Sequence, residues 1–560
     1  MTEPRRGYEI TGEPGDDEVL FVPLGGSGEI GMNLNLYGHA GRWIVADMGI
    51  TFGDETTPGI EVILPDPAFL EERRDALDGI VLTHAHEDHI GAVPYLWTRF
   101  ECPLYATPFT AAVLLRKLDA EGMIDVEITE IPMSGNITIG PFQIELITLT
   151  HSIPEPNALV LRTGVGTILH TGDWKLDPSP LIGETADEAA LRAVGAEGVL
   201  AMIGDSTNAL VEGHSGSEED VRDSLVELIA GCPHRVVVAA FSSNIARMDS
   251  VAHAARESGR EVALVGRSLW RMHDAAKQTG YLNGASRFLT DEEAAHLPRD
   301  KVVLLCTGSQ GESRSALARI VREDHPHIAL EAGDTAIFSS RVIPGNEKVI
   351  GGLQNALAML GVEVITADQA PVHVSGHPNR DELVQMYQWI RPSIAIPVHG
   401  EPRHLFAHAA LARECQVPYT QVPFNGAVIR LTKDGPTLVD EVYAGHLAVD
   451  GNRIVPLEGA TMRSRRKIGY SGAATVTVAV DEDGRLMADP QISVTGLLDQ
   501  DDGDLIDEVV DEVCQVVDDL PPARRRDDDA LKEAVRLAAR RTIHALCGKR
   551  PPTTVHLVRL

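Results

Sequence analysis

His84-Ala85-His86-Glu87-Asp88-His89 places three imidazoles and two carboxylates within six positions. It follows the apolar run Gly79-Ile80-Val81-Leu82-Thr83, which reads as a buried strand. Imidazole nitrogen and carboxylate oxygen are the usual ligands of a catalytic zinc. Alternation at a strand end sends His84 and His86 to the same side. Asp88 and His89 fall where the chain turns into a helix over 90–99, and from there they can face a second metal. Closely spaced metals suit hydrolysis, because both stabilise the charge that develops on the substrate.

Other ligand-type side chains end apolar runs elsewhere. His151 ends the run 142–150, Asp173 follows the run 167–170, and His399 follows Ile396-Pro397-Val398. Strand ends are rigid while the loops beyond them are open, so sites gather there. Asp47 closes Ile44-Val45-Ala46-Asp47. It reads equally as a carboxylate that fixes the tautomer of a ligand imidazole or as an Asx-turn.

The chain has 560 residues, enough for more than one domain. Few aromatics and much Gly, Ala and Val suit α/β layers. The net charge of −33 argues against a protein that coats nucleic acid through its overall field. A polyanionic substrate then needs a local positive patch or metals. Arg463, Arg465, Arg466 and Lys467 are candidates for such a patch, and read equally as a solvated linker. The six cysteines are far apart with no Cys-x-x-Cys, as in a reducing compartment. No signal peptide or membrane-spanning run is visible, and the acidic stretch after Arg5-Arg6 argues against a twin-arginine signal. A cytoplasmic location is the expectation.

Residues 1–18 read as a disordered acidic lead-in. Short β-rich runs follow at 19–23, 33–37, 43–47, 80–83, 142–149, 158–162 and 167–170, as in two packed sheets with helices outside. After about 213 the rhythm changes. Helical spacing at 218–231 and 244–258 alternates with parallel-type strands at 235–240, 261–266 and 301–307. The ligand-rich style returns near 374, so the middle region reads as an insertion. Residues 451–470 look like a linker. The tail reads as strands at 474–480 and 491–495, an acidic helix at 504–519, a basic helix at 529–547 and a final strand at 553–558.

Gly26-Ser27-Gly28-Glu29-Ile30-Gly31 matches the dinucleotide fingerprint, but Asn33-Leu34-Asn35-Leu36-Tyr37 alternates like a strand where a helix is required. A β-hairpin is the better reading. The insertion offers polar turns at 241–247, 307–312 and 339–347, suited to phosphate binding or to ordinary helix capping. His373-Val374-Ser375-Gly376-His377 has the same character with two imidazoles added.

The segments Pro-Leu-Gly-Gly-Ser-Gly-Glu-Ile-Gly, Thr-His-Ala-His-Glu-Asp-His-Ile-Gly, Thr-Gly-Asp-Trp-Lys, Gly-Asp-Ser-Thr-Asn, Thr-Gly-Ser-Gln-Gly-Glu, Val-Ser-Gly-His and Pro-Val-His-Gly-Glu together carry a family resemblance. The chain resembles the β-CASP nucleases of the metallo-β-lactamase superfamily, and bacterial ribonuclease J most of all, from about Val19 to the C-terminus. The resemblance implies an α/β fold: a metallo-β-lactamase αβ/βα sandwich (19–215 and 376–455) with an inserted β-CASP α/β domain (216–375). A linker (456–470) and a small C-terminal α/β domain (471–560) would follow.

By position, His84, His86, His151 and Asp173 would hold one Zn2+, and Asp88, His89, Asp173 and His399 the other, with Mn2+ or Mg2+ as additional or alternative metals. Asp88, Asp205 and His377 would be catalytic. His373, Val374, Ser375, Gly376 and His377 would grip a terminal nucleotide. A structural Ca2+ would be held by main-chain oxygens of Pro58 and Ile60 with the Asp450 side chain.

The implied activity is 5′→3′ exonucleolytic and endonucleolytic hydrolysis of single-stranded RNA. A hydroxide held between two zincs would attack the phosphodiester and leave 5′-phosphate products. Messenger RNA decay, ribosomal RNA maturation, a preference for 5′-monophosphate ends, a homodimer or homotetramer, and further RNA-degradation or ribosome-associated partners belong to the same implication. The alternatives are a DNA-directed β-CASP nuclease, which His399 argues against; a small-molecule metallo-hydrolase, which would lack the insertion; and an RNA-binding scaffold subunit with little activity of its own.

Overall fold

Runs of β-branched and aliphatic residues bounded by Gly, Asn and Asp build two sheets that bury their facing sides. A computed structural model describes residues 13–284, 287–498 and 503–560, and the chain divides into two compact units. The first gathers the residues up to Thr51 with Leu64–Gly445; the second is Phe52–Ile63 with His446–Leu560.

In the first unit an eight-stranded sheet has the order Gly435–Glu441, Ala427–Thr432, Val19–Gly25, Leu34–His39, Arg42–Ala46, Leu77–Val81, Leu104–Ala106, Ile128–Glu130. A seven-stranded sheet has the order Tyr419–Thr420, Ile394–Val398, Ala201–Asp205, Thr167–His170, Asn157–Arg162, Phe142–Thr148, Asn136–Ile139. Phe21, Tyr37, Ile44 and Val81 of the first sheet meet Phe142, Ile144, Leu161, Ile203 and Ile396 of the second in one core. Burying such a side chain contributes about 1.5–3 kcal/mol. Helices Glu188–Glu197, Arg380–Ile390 and Pro402–Glu414 cover the outer face of the seven-stranded sheet through Leu191, Met386, Trp389 and Leu411. Each sheet takes strands from both ends of the unit, so the middle of the chain is an insertion. It forms a parallel five-stranded sheet, Glu261–Val265, Val302–Cys306, Val236–Ala239, Thr335–Phe338, Glu363–Ile365.

In the second unit, strands Ala473–Val480, Gln491–Thr495 and Thr553–Arg559 make a small sheet, with helices Gly503–Asp519 and Asp528–Cys547 packed on it through Val509, Val513, Leu531 and Val535.

Several sequence expectations need correction. Of the lead-in, residues 1–12 lie outside the described residues. From Glu13 onward it is tied down, with the Pro14 and Gly15 carbonyls accepting from the Gly41 and Ala40 amides. The helix expected at 90–99 starts earlier, at Glu87–Ile90, and breaks into Val93–Leu96 and Trp97–Arg99 around Gly91 and Pro94. Proline has no N–H to continue the ladder. The stretch taken for a linker contains the helix Ala460–Ser471. Its Met, Arg and Lys are good helix formers, which outweighs the reading from charge alone. Arg463 bonds the Glu458 carbonyl, while Arg465 and Arg466 pair with Asp450 and Glu458. The Gly-rich segment 26–31 links the antiparallel strands Val19–Gly25 and Leu34–His39. All six cysteines are free thiols, and among the described residues no helix is long and apolar enough to cross a membrane.

The insertion leaves and rejoins the sandwich through a buried polar knot. Lys175 pairs with Asp177 at 2.9 Å and donates to the Gly216 carbonyl at 3.1 Å. Asp177 accepts from Ser217 Oγ at 2.6 Å and from the Glu218 amide at 3.0 Å. Arg247, wholly buried, pairs with Glu218 at 3.0 Å and donates to the carbonyls of Ser339 (2.7 Å) and Val372 (2.9 Å). Outgoing and returning chain therefore share one guanidinium. Removing one partner of a buried pair strands the other charge. Arg247→Met is expected to cost about 3–5 kcal/mol, read as a lowered urea midpoint, and Arg247→Met combined with Glu218→Leu is expected to recover part of that loss.

Candidate metal centre

The site is built at the carboxyl ends of strands. Asp47, His84, His151, Asp173 and His399 each follow a strand, and Asp205 is the last residue of Ala201–Asp205. His86 caps the short helix Glu87–Ile90, which carries Asp88 and His89. Asp47 and His399 hold positive φ, 66° and 53°, as the chain turns sharply off its strand. Backbone bonds fix these turns. The Met48 amide donates to the His89 carbonyl (2.7 Å), the Ile50 amide to the Glu87 carbonyl (3.0 Å) and the His399 amide to the Gly26 carbonyl (2.6 Å).

Among the described residues three groups of ligand atoms result, each within 4.8 Å and all containing Asp173; the third joins Asp173 and His399 to Asp205 and His377, and the first two are the ligand groups expected from the sequence. In the first, His86 Nδ1 lies 3.1 Å from His84 Nε2 and 3.0 Å from His151 Nε2. Asp173 Oδ2 stands 3.9 Å from His84 Nε2 and 3.8 Å from His151 Nε2. In the second, Asp173 Oδ2 is 3.2 Å from His89 Nε2 and 3.4 Å from His399 Nε2. Asp88 Oδ2 is 3.6 Å and 3.7 Å from the same two nitrogens. Tetrahedral ligands at zinc-like bond lengths stand about 3.4 Å apart, which falls among these spacings.

Outward hydrogen bonds aim the lone pairs inward. His84 Nδ1 donates to Thr83 Oγ1 (3.0 Å), His151 Nδ1 to the Gly376 carbonyl (2.5 Å) and His89 Nδ1 to Asp47 Oδ2 (2.7 Å). His399 Nδ1 faces the Asn33 side-chain amide, 2.9 Å from Nδ2 and 3.1 Å from Oδ1, and His86 Nε2 lies 3.2 Å from Ser243 Oγ. His399 Nε2 is buried with no hydrogen-bond partner. A buried nitrogen left unpaired is costly unless something binds it. These N and O donors, oriented and spaced in this way, fit a pair of metal ions.

At three of the imidazoles the field favours the same state; at His89 burial opposes charge, but Asp173, Asp47 and Asp88 raise its pKa well above the usual histidine range. Burial, then neighbouring imidazoles, push His84 and His151 well below the usual histidine range; burial takes His86 down to about 4. Burial therefore favours the neutral form of these three rings, the form that can bind a metal. Burial opposes charge on Asp173, yet His399, His89 and His377 hold its carboxyl well below the usual carboxylate range. Asp47 thus acts through His89: one oxygen accepts its Nδ1–H and the other accepts from the Thr83 amide at 2.8 Å.

His377 stands beside the second group. Its Nδ1 is 2.8 Å from Asp205 Oδ2 and 3.8 Å from Asp173 Oδ2. Burial disfavours its charge, but Asp205 and Asp173 override it and raise the pKa to about 9. Gly376 packs so close to His151 that a Cβ would fall 2.7 Å from the ring, so only glycine brings this segment in. Ser375 Oγ accepts from Asn208 Nδ2 (2.7 Å), and Arg341 Nη1 holds Asn208 Oδ1 (2.6 Å). Val374 packs on Gly216. His373 is brought to a cluster of cations, two of the insertion and one of the sandwich, not to the ligand groups. Burial, then Arg247, Arg341 and Lys175, lower it to about 3, and its buried Nδ1 has no partner. Asp450 lies in the second unit, paired with Arg465.

Asn33, Thr83, Asn208, Ser243 and Arg341 carry parts of this site that sequence reasoning did not single out one by one. All five lie in segments that stood out, but none has a residue type that marks it.

Family models match most of the chain: a beta-lactamase superfamily domain (42–222), the ribonuclease J beta-CASP domain (233–357), a Zn-dependent metallo-hydrolase RNA specificity domain (362–418) and the ribonuclease J C-terminal domain (460–560). The chain is 46% identical to ribonuclease J of Sinorhizobium meliloti, over 97% of this chain and 98% of that one. It is 37% identical to ribonuclease J of Mycobacterium tuberculosis H37Rv, over 96% and 97%. A solved structure of a protein of unknown function from Enterococcus faecalis V583 shares the fold at a TM-score of 0.52 and 17% identity, over 74% of this chain and all of that one. With two ligand groups meeting at one carboxylate and identity extending through the insertion and the C-terminal part, the chain belongs to the ribonuclease J family of metal-dependent ribonucleases.

Proposed function

We propose that the chain hydrolyses single-stranded RNA in both 5′→3′ exonucleolytic and endonucleolytic modes, with two zinc ions per subunit, leaving 5′-phosphate products. One observation carries this reading: Asp173 Oδ2 lies 3.2–3.9 Å from four imidazole nitrogens of the two groups, with the His377 Nδ1 also 3.8 Å away. Bound metals would supply Lewis-acid stabilisation of charge on the phosphate. Mn2+ or Mg2+ would be the alternative occupants.

The chain's own groups do the rest. Asp205 accepts a hydrogen bond from His377 Nδ1, which orients the imidazole and keeps it protonated. His377 then donates a proton or hydrogen bond to a phosphate oxygen as the 3′-hydroxyl leaves. Asp88, besides completing the second ligand group, adds to the field that holds His377 charged.

His373–His377 would take the 5′-terminal nucleotide. Support comes from the unpartnered His373 Nδ1 in the field of Arg247, Arg341 and Lys175, and from the Ser375 hydroxyl held by Asn208. A terminal phosphate offers acceptors to such donors. Arg341 locks the pocket to the sandwich through Asn208. Action in messenger RNA decay and ribosomal RNA maturation, a cytoplasmic location, a homodimer or homotetramer, and association with RNA-degradation or ribosomal partners complete the proposal.

Digestion of 5′-monophosphate and 5′-triphosphate RNA by wild type is expected to be faster on the monophosphate. His377→Ala is expected to lower kcat by about 100-fold or more on both, while Arg341→Met mainly raises KM for the monophosphate substrate. Equal wild-type rates on both ends would remove the terminal pocket; an active His377→Ala would remove its catalytic role. Dialysis against a strong chelator is expected to abolish cleavage, with zinc restoring it. Asp47→Ala is expected to weaken metal binding about 10–100-fold in a competition titration against a chromophoric chelator.

A further inference from the structure

The second compact unit contains the residues from which the family resemblance builds a calcium site, and the chain already supplies a cation there. Asp450 ends the strand His446–Asp450, and its side chain is 11% exposed. Arg465, on the helix Ala460–Ser471, places Nη2 2.7 Å from Oδ1 and 2.7 Å from Oδ2. Arg453, at the start of the next strand of the hairpin, adds Nη2 at 3.3 Å from Oδ2. The other end of the Arg465 fork lies against the 58–60 turn. Gly59 has φ +77°, and a Cβ built on it would stand 3.5 Å from Arg465 Nη1. One guanidinium therefore pairs with Asp450 and stands beside Gly59 of the turn.

The donor set does not fit calcium. Calcium takes six to eight oxygen ligands and draws its affinity from carboxylates. Here the set offers one carboxylate and two main-chain oxygens, and two guanidiniums already hold that carboxylate. Their N–H groups occupy the lone pairs a metal would need. A dication at the same place would face two like charges at ion-pair range. The hydrogen bond from Arg465, offsetting some burial, also holds the Asp450 carboxyl below the usual carboxylate range.

We propose that in this chain the Arg465 guanidinium, rather than a divalent cation, is the resident counter-ion that joins the 58–60 turn to the strand end at Asp450. Calcium and guanidinium are alternative solutions to one requirement, a positive group between a carboxylate and a turn. The unit's stability then depends on Arg465 and not on calcium.

The full chain is dialysed against millimolar calcium chloride, its bound calcium is counted, and its melting is followed with and without the ion. The same is done for Asp450→Asn, Arg465→Gln and Arg465→Lys. No Asp450-dependent calcium is expected, and calcium leaves the wild-type Tm unchanged. Arg465→Gln is expected to lower the Tm by several degrees, and Arg465→Lys to recover part of that loss. Calcium bound one per chain in wild type and lost in Asp450→Asn overturns the proposal, as does an Arg465→Gln protein that melts like wild type. If Arg465→Gln does not fold, the calcium count in wild type and Asp450→Asn decides.

Discussion

One carboxylate oxygen, Asp173 Oδ2, organises the molecule's chemistry. It lies 3.2–3.9 Å from imidazole nitrogens of His84, His89, His151 and His399, and it belongs to both ligand groups. A buried carboxylate is costly unless cations or donors surround it. Three strand ends and one short helix bring the four imidazoles to it, and each ring is held by a hydrogen bond that faces away from the centre. Because the carboxylate is shared, the two groups cannot be built independently. A displacement of the Thr167–His170 strand end would disturb both.

The insertion does more than add a surface. Gly376 accepts the outward N–H of His151, and Ser243 meets the outward nitrogen of His86. One ligand of the first group thus takes its orientation from the insertion and another from the first residue after it, while Asp47 and Asn33 of the sandwich orient His89 and His399 of the second. The buried Lys175–Asp177 and Arg247–Glu218 pairs sit where the chain crosses between the two parts. The polar knot at the crossing and the metal-ready geometry are one construction, since Lys175 is only two residues from Asp173.

Much of this was legible because ligand-type residues stand out at the ends of apolar runs. His84, His151, Asp173 and His399 need only the rule that strand ends point into open loops. Asp47 was ambiguous because an Asx-turn and a ligand-orienting carboxylate look alike in sequence; in the fold its Oδ2 accepts from both His89 and the Thr83 hydroxyl, and its Oδ1 from the Thr83 amide. Asn33 was illegible because it opens an alternating strand, where an inward polar residue has no mark of its own. Ser243 and Gly376 orient histidines 157 and 225 residues away, a relation that no local pattern carries. The helix Ala460–Ser471 was hidden by its charge, which reads as solvated chain until a partner such as Asp450 is seen opposite Arg465.

The sharing of Asp173 is the claim most open to direct measurement. Zinc per chain, counted by elemental analysis after gel filtration, should be near two for wild type, and Asp173→Asn should lose most of both ions while keeping its fold by circular dichroism. An Asp173→Asn protein that retains the full wild-type metal content would contradict the account.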